Sequence, residues 1–507
     1  MIGSFDLRAI RQPAIVAAAA AAFLFLLFVL ADGGLLLFLA PLLVALSAGL
    51  LLARVPWAGF AFLLLSVPFQ RFGSEGTALP ATLTQMVFPI ALAGTLLTLY
   101  AERRTARGHI ILLPYSVLVA VMVASSIQAQ SLGAAWSEIA RWFVAIAAFW
   151  MALQLVAGRS DRRLVGFVAL LAAGGVFEAT IGVVQSVIGF GPFAVSSGVS
   201  RAFGTFGRPN SFAGYLEMTF FPTAALALWY ASETIQRFRF YRIERLRGFA
   251  ESQAARRSLV SSALAFAGFA ASGAIILSGI TASLSRGALL GVAVGGLGVM
   301  LLLSPFSRFL VAIGGLAAVA LLLAGQAGLV PDSYRERVAD SVDQIRPIDV
   351  RTVTVTDENF ATVERLAHWQ TGIEMYRDNP ALGVGIGNFN TRVREYSIRP
   401  DFRNSQGHAH NYYIHTLAET GLLGLLAYLT LLGSVVILAL RVLLMTTFAD
   451  GLPRMIVLGA FGSVVAVATH NLVEDLHVLN LGIIISLLWV LIIAGHERLR
   501  AGQTTAS

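Results

Sequence analysis

LAETGLLGLLAYLTLLGSVVILAL, from Leu417 to Leu440, carries a single charge, Glu419, in 24 residues. As an α-helix, a run of this length and apolarity covers the ~30 Å hydrocarbon core of a bilayer. It does not stand alone. Apolar runs bounded by charges or turn residues recur near 13–30, 35–52, 55–70, 83–100, 110–127, 139–157, 164–188, 211–231, 259–280, 287–304, 308–325, 417–440, 455–473 and 478–494. The third is short and holds Pro56 and Pro68, and the pairs joined by brief connections could each be hairpins or re-entrant elements. The expected fold class is all-α: a polytopic transmembrane helical protein of about 12–14 spans with one large outer loop containing short helices. Composition agrees, since 13% of the chain is charged and mean hydropathy is +0.76, against about a quarter charged in soluble domains.

All 36 basic residues are arginines, and cysteine is absent. Disulfides, thiolate catalysis, Fe–S clusters and cysteine–zinc sites are therefore excluded. Residues 13–30 lack a convincing small-residue cleavage site and are taken as the first helix. With the N-terminus inside and sides alternating, 21 arginines fall on the inner side and 5 (Arg71, Arg141, Arg201, Arg208 and Arg286) on short outer loops or helix ends. Cytoplasmic loops are enriched in arginine, so both termini are expected to be cytoplasmic. This side-by-side distribution speaks for membrane sidedness and against nucleic acid. The cluster of Arg237, Arg239, Arg242, Arg245, Arg247, Arg256 and Arg257 is expected to meet anionic membrane lipids.

The expected organisation is residues 1–325 as transmembrane helices, 326–416 as the large outer loop, and 417–507 as C-terminal helices with a cytoplasmic tail. Within the loop, Val350 to Val355 is β-branched and could be irregular or a short hairpin. Residues 362–377 predict an amphipathic helix with Val363, Leu366, Trp369, Ile373 and Tyr376 on one side, ended by Asp378-Asn379-Pro380. The run Gly383, Gly385, Gly387 does not sit in a βαβ context and reads as a close-packed turn, not a dinucleotide site.

Four outer segments hold the polar groups. Between Ser200 and Asn210, Arg201 and Arg208 accompany glycines and Pro209-Asn210, which can start a helix. They suit either an anion site or an interfacial turn with snorkelling arginines. Ser285-Arg286-Gly287 holds an arginine tightly at the membrane edge, where arginine is costly and tends to be functional. His408, His410 and Asn411, with His415 beyond, offer proton exchange near neutral pH. A His-x-His metal pair lacks carboxylates at ligand spacing, so no metal is expected. His470, Asn471, Glu474, Asp475 and His477 read mainly as polar caps of the last two spans.

These segments resemble the O-antigen ligase and O-antigen polymerase superfamily of bacterial membrane glycosyltransferases. The match is carried by Arg201 to Asn210 (RAFGTFGRPN), Ser285-Arg286-Gly287, Trp369 through Pro380 to Phe389, and His408 to Tyr412 followed by Leu417 to Gly424. The resemblance implies a large periplasmic loop capping a cavity at the outer leaflet of the cytoplasmic membrane. It implies an undecaprenyl-diphosphate-linked glycan as donor, an acceptor such as lipid A–core, and no cofactor, nucleotide or metal. Carried over residue by residue, it implies Arg201, Arg286 and His410 as catalytic, with Arg208, Asn210, His408, Asn411 and Tyr412 as substrate-binding. The four segments do not separate a ligase from a polymerase joining lipid-linked repeats. The alternative of another class is a transporter or flippase, which would want charged groups deep in the membrane; Glu178 is the only deep acidic candidate read from the sequence.

Overall fold

The computed structural model describes residues 55–69, 82–192, 200–246, 252–326, 349–356, 359–405 and 407–506. The expected spans near 13–30 and 35–52, and loop residues 331–348, lie outside them. The chain divides into two compact units, residues 1–107 and 108–507. In the first, α1 (Pro56–Ser66) and α2 (Leu83–Ala101) pair through Thr84, whose hydroxyl donates to the Ser66 carbonyl at 3.0 Å. Thr82 and Gln85 close a reciprocal capping box at the start of α2, satisfying two donors that a helix start otherwise leaves free.

Among its described residues the regular elements of the second unit are helices joined by turns and loops. Its elements are α3 (Leu112–Ser125), α4 (Leu132–Leu155), α5 (Asp161–Val187), α6 (Pro209–Leu246), α7 (Ser252–Ala282), α8 (Arg286–Leu303), α9 (Pro305–Gln326), α10 (Phe360–Asp378), α11 (Phe389–Tyr396), α12 (Tyr412–Met445), α13 (Leu452–His470) and α14 (Gly482–Ala506). Each expected span that falls in the described residues is a helix. Eight described helices are long and apolar enough to cross a bilayer, so the chain is a multi-pass membrane protein.

Helices α13 and α14 form the interior, with 72% of their apolar windows buried. Tyr115 of α3 sits edge-on to Trp142 and Phe149 of α4 and Trp489 of α14, with ring centroids 5.4–6.2 Å apart. Its hydroxyl meets the Ser486 hydroxyl at 3.1 Å, so the polar tip of a buried aromatic is satisfied. Helix α6 runs well past the expected end at 231 and pairs with α7, where Arg237 binds Glu233 at 2.7 Å and the Ser258 hydroxyl at 2.8 Å.

One local finding decides between expected alternatives and two correct the sequence expectations. Val350 to Val355 forms no hairpin; Val350–Thr352 is a single 3-10 turn capped by Asp349. Of the expected stripe on α10 Val363 is buried, while Leu366, Trp369, Ile373 and Tyr376 are half-buried; the buried face is completed by Ala367, His368, Thr371, Gly372 and Met375. Small residues win there because α10 lies close on α12: a Cβ on Gly372 would come within 2.8 Å of Ile414. Glu178 is also not the lone deep carboxylate. Glu217 of α6 is fully buried and meets His470 Nδ1 at 3.2 Å.

The glycine run is the expected close-packed turn, and its packing has a specific cause. Helix α12 breaks at Gly421, whose φ of 65° and ψ of −166° are non-helical. The break leaves carbonyls without intrahelical donors, which is costly away from water. Residues 380–388 cross the break and supply them: Val384 N–H donates to the Ala418 carbonyl at 2.9 Å and Gly385 N–H to that of Glu419 at 3.0 Å. The Glu419 carboxylate then accepts the Gly387 and Phe389 N–H groups, both at 2.8 Å. At Gly383, with φ of 67°, a Cβ would lie 2.4 Å from the Ala418 carbonyl oxygen, so only glycine fits.

Candidate active site

The turn carrying Arg201 is held from within by α5. Glu178 accepts hydrogen bonds from the Thr205 N–H at 2.9 Å and hydroxyl at 2.8 Å. Gln185 accepts from the N–H groups of Phe203 and Gly204 and donates to the Gly204 carbonyl. Glu178 is therefore committed to shaping this turn. With the turn fixed, Ala202 N–H reaches the Ala282 carbonyl at 3.0 Å, tying it to the end of α7. Arg201 Nε donates to the Ser283 carbonyl at 2.9 Å, and its Nη2 donates to Asn210 Oδ1 at 3.1 Å.

Beyond Ser283 the chain reverses through Leu284, whose φ of 52° is left-handed, a conformation a branched residue adopts only under constraint. Ser285 caps α8 by accepting from Ala288 N–H. Arg286 is then the first residue of α8 and is exposed. A guanidinium at a helix N-terminus adds full charge to the partial positive charge of free N–H groups, which favours an anion.

The histidine segment approaches from the start of α12. His410 also has a left-handed backbone, with φ of 54°. It is held by Trp369 of α10, whose indole N–H donates to the His410 carbonyl at 3.2 Å, and by its own N–H donating to His408 Nδ1 at 3.2 Å. Glu474, in the turn after α13, gathers the pieces. Its Oε1 lies 3.4 Å from His410 Nδ1 and 3.5 Å from His408 Nε2, while Oε2 accepts from Asn210 Nδ2. A continuous polar path thus runs from Ser283 through Arg201, Asn210 and Glu474 to His410. Neither ring nitrogen of His410 makes an aligned hydrogen bond, although the ring is buried.

The charges are unequal. Burial, then the nearby Arg365 and Arg286 guanidiniums, lower the Arg201 pKa, with Glu474 opposing. Burial pushes His408 down to about 3 despite Glu474, so it is neutral near pH 7. Burial alone would raise the Glu474 carboxyl, but its contacts with His410 and His408 outweigh this and hold it well below the usual carboxylate range. The result is one buried carboxylate among Arg201, Arg286, Arg208 and Arg365, a site with surplus positive charge.

Residues 271–429 match the family model described as O-Antigen ligase. Over that segment the chain is similar to the O-antigen ligase family. The matched segment contains Arg286, α10, α11 and His410; Arg201 and Glu474 lie outside it. Comparison with curated proteins gave no match.

Arg201, Asn210, His408 and His410 come together around Glu474. Arg286 stands in the electrostatic reach of Arg201, and Arg208 in that of His408. Arg208 is exposed. Asn411 and Tyr412 are occupied differently. Asn411 Oδ1 accepts from Tyr413 and Ile414 N–H groups as the α12 cap, and its amide donates to the Leu472 carbonyl at 2.8 Å. Tyr412 stacks on His477 with centroids 3.9 Å apart. Two participants were not selected from sequence. Arg365 gave no signal beyond lying on the loop helix. Glu474 was visible in a polar turn but, without its partners, read as a cap. His408, His410 and Glu474 place ligand atoms within 4.8 Å of one another, as do Glu364, His368 and His410, so the donor set itself would admit a cation.

Proposed function

We propose that this protein transfers a glycan from undecaprenyl diphosphate to an acceptor hydroxyl, on lipid A–core or a similar carrier, at the outer face of the bacterial cytoplasmic membrane. Both termini would be cytoplasmic, residues 326–416 would form a periplasmic lid, and catalysis would need no metal. The observation that carries the reading is the linkage of Arg201 and His410 through Asn210 and Glu474, beside Arg286. In the reaction the acceptor oxygen bonds to the anomeric carbon while the bond from that carbon to phosphate oxygen breaks. The electron pair leaves on the diphosphate, and the acceptor proton passes to His410.

Each part matches the chemistry. Guanidiniums bind phosphate oxygens bidentately and stabilise the charge that grows as the diphosphate departs. Each charge-assisted hydrogen bond contributes about 1.5–3 kcal/mol. If two strengthen in the transition state, the rate rises by a few powers of ten. A positioned histidine base adds about 10²–10⁴-fold, and Glu474 would stabilise the imidazolium it becomes. In-line attack inverts the anomeric centre, which NMR comparison of donor and product linkages tests.

Deletion in the native host discriminates the acceptor. A ligase leaves long lipid-linked polymer unattached, a polymerase leaves one repeat on the acceptor, and an unchanged surface glycan refutes both. With purified protein, His410→Ala is expected to bind donor but not transfer; full activity would remove the histidine from the mechanism.

A further inference from the structure

Beside the arginine–histidine site the second unit holds a cavity that the transfer step leaves unused. It lies between α4, the start of α12 and the turn after α13, with a volume of about 210 Å³. That is the space of about seven waters, room for one pyranose ring and too little for a lipid tail. None of Arg201, Arg286 or His410 lines it.

Its walls suit a polyol. His477 is 9% exposed and stacks with Tyr412, 3.9 Å away, and Trp142, 5.4 Å away, both within 15° of parallel. Tyr428 also meets the ring at right angles, 5.3 Å away, and both ring nitrogens are buried and lack hydrogen-bond partners. Burial holds this imidazole neutral, with a pKa of about 3. A neutral imidazole presents one donor and one acceptor, the pair that a sugar hydroxyl answers. Asp475, 4% exposed, accepts from the His477 N–H at 2.8 Å and has oxygens left to accept more. The cavity's one arginine, Arg141, is already paired with Glu138. No uncommitted guanidinium therefore awaits a phosphate, in contrast with the neighbouring site.

We propose that this cavity binds a single uncharged sugar ring of the acceptor, its hydroxyls held by Asp475, Glu138 and the edge of His477. The position explains the role. Successive residues of one turn face the two compartments: Glu474 contacts His410, and Asp475 lines the cavity. A ring seated here presents a hydroxyl toward His410 while the diphosphate sits at the arginines. That the sugar is the acceptor's rests on the transferase reading above; the cavity's affinity for a sugar does not.

The test uses full-length protein in lipid nanodiscs and a panel of methyl glycosides of neutral hexoses and N-acetylhexosamines. Saturation-transfer NMR measures binding, with inorganic phosphate as competitor. Saturable binding of at least one glycoside is expected, insensitive to phosphate and unchanged in Arg201→Ala. His477→Phe, which keeps the stack but removes both nitrogens, and Asp475→Asn should each weaken it about tenfold, the loss of one good hydrogen bond. No saturable binding, binding indifferent to both substitutions, or displacement by phosphate would overturn the proposal. In transfer assays His477→Phe should raise the acceptor KM and leave the donor KM unchanged; an unchanged acceptor KM would refute the acceptor assignment. If glycoside binding behaves as expected while His410→Ala keeps full transfer activity, the transferase reading fails and the sugar cavity stands.

Discussion

Replacing Glu474 with glutamine tests the site at its junction. The change preserves size and the contact with Asn210 but removes a buried carboxylate 3.4 Å from His410 Nδ1. When His410 takes a proton, that carboxylate stabilises the new charge. Coulomb's law with an effective dielectric of about 20 gives about 5 kcal/mol at this distance. The amide dipole of glutamine would recover part of this, leaving a loss of about 2.7 kcal/mol, or about 10²-fold in kcat. Donor binding should move the other way. Removing a negative charge from among Arg201, Arg286, Arg208 and Arg365 leaves the diphosphate site more positive, so the donor KM should stay level or fall. The assay is steady-state transfer in vesicles from lipid-linked glycan to lipid A–core, with product followed by gel mobility. An unchanged kcat, or a loss confined to donor KM, would show that Glu474 does not support a charged His410.

Three further outcomes are expected. His408 and His477 have folded pKa values of about 3 and His368 of about 4, in each case chiefly through burial, against about 6.5 unfolded. The unfolded chain therefore gains protons first as pH falls below about 6.5, and each histidine removes up to about 1.4 kcal/mol of stability per pH unit from there toward its folded value. Melting followed from pH 7.5 downward in nanodiscs should show this slope, flattened in His477→Phe; a pH-independent midpoint would contradict it. Gly383→Ala should destabilise by about 2–5 kcal/mol, combining a left-handed backbone with an overpacked Cβ, whereas Gly407→Ala, whose Cβ would meet nothing within 4 Å, should cost only the backbone part. Exhaustive chelation should leave transfer activity intact; loss restored by adding a divalent ion would instead assign a cation to His408, His410 and Glu474.

Hydropathy made nearly all of the described fold legible, because a bilayer demands long apolar helices and chain order supplies their sequence. Arg286, Arg201 and His410 were legible for a related reason: polar residues at the edges of spans are few and costly. What could not be read was pairing. Glu474 lies more than sixty residues from His410 and is defined by it only in space, while Arg365 matters through its field on Arg201. Glu217 was passed over inside an apolar run because its partner His470 is remote in sequence and leaves no trace in the local pattern. Asn411, expected on a substrate, is a helix cap, a role that depends on where α12 begins.

The crossing of residues 380–388 over the break in α12 has a consequence for biogenesis. The segment is synthesised before the helix it bridges, so its donors lack their acceptors until residues 412–445 have followed. Closure of the glycine turn therefore requires the following helix, which ties the folding of a polar stretch to that of an apolar one. Detached from α12, residues 359–405 would lack the backbone and the Glu419 carboxylate that shape them. The outer segment is thus an organ of the membrane domain, finished only when the chain behind it has crossed.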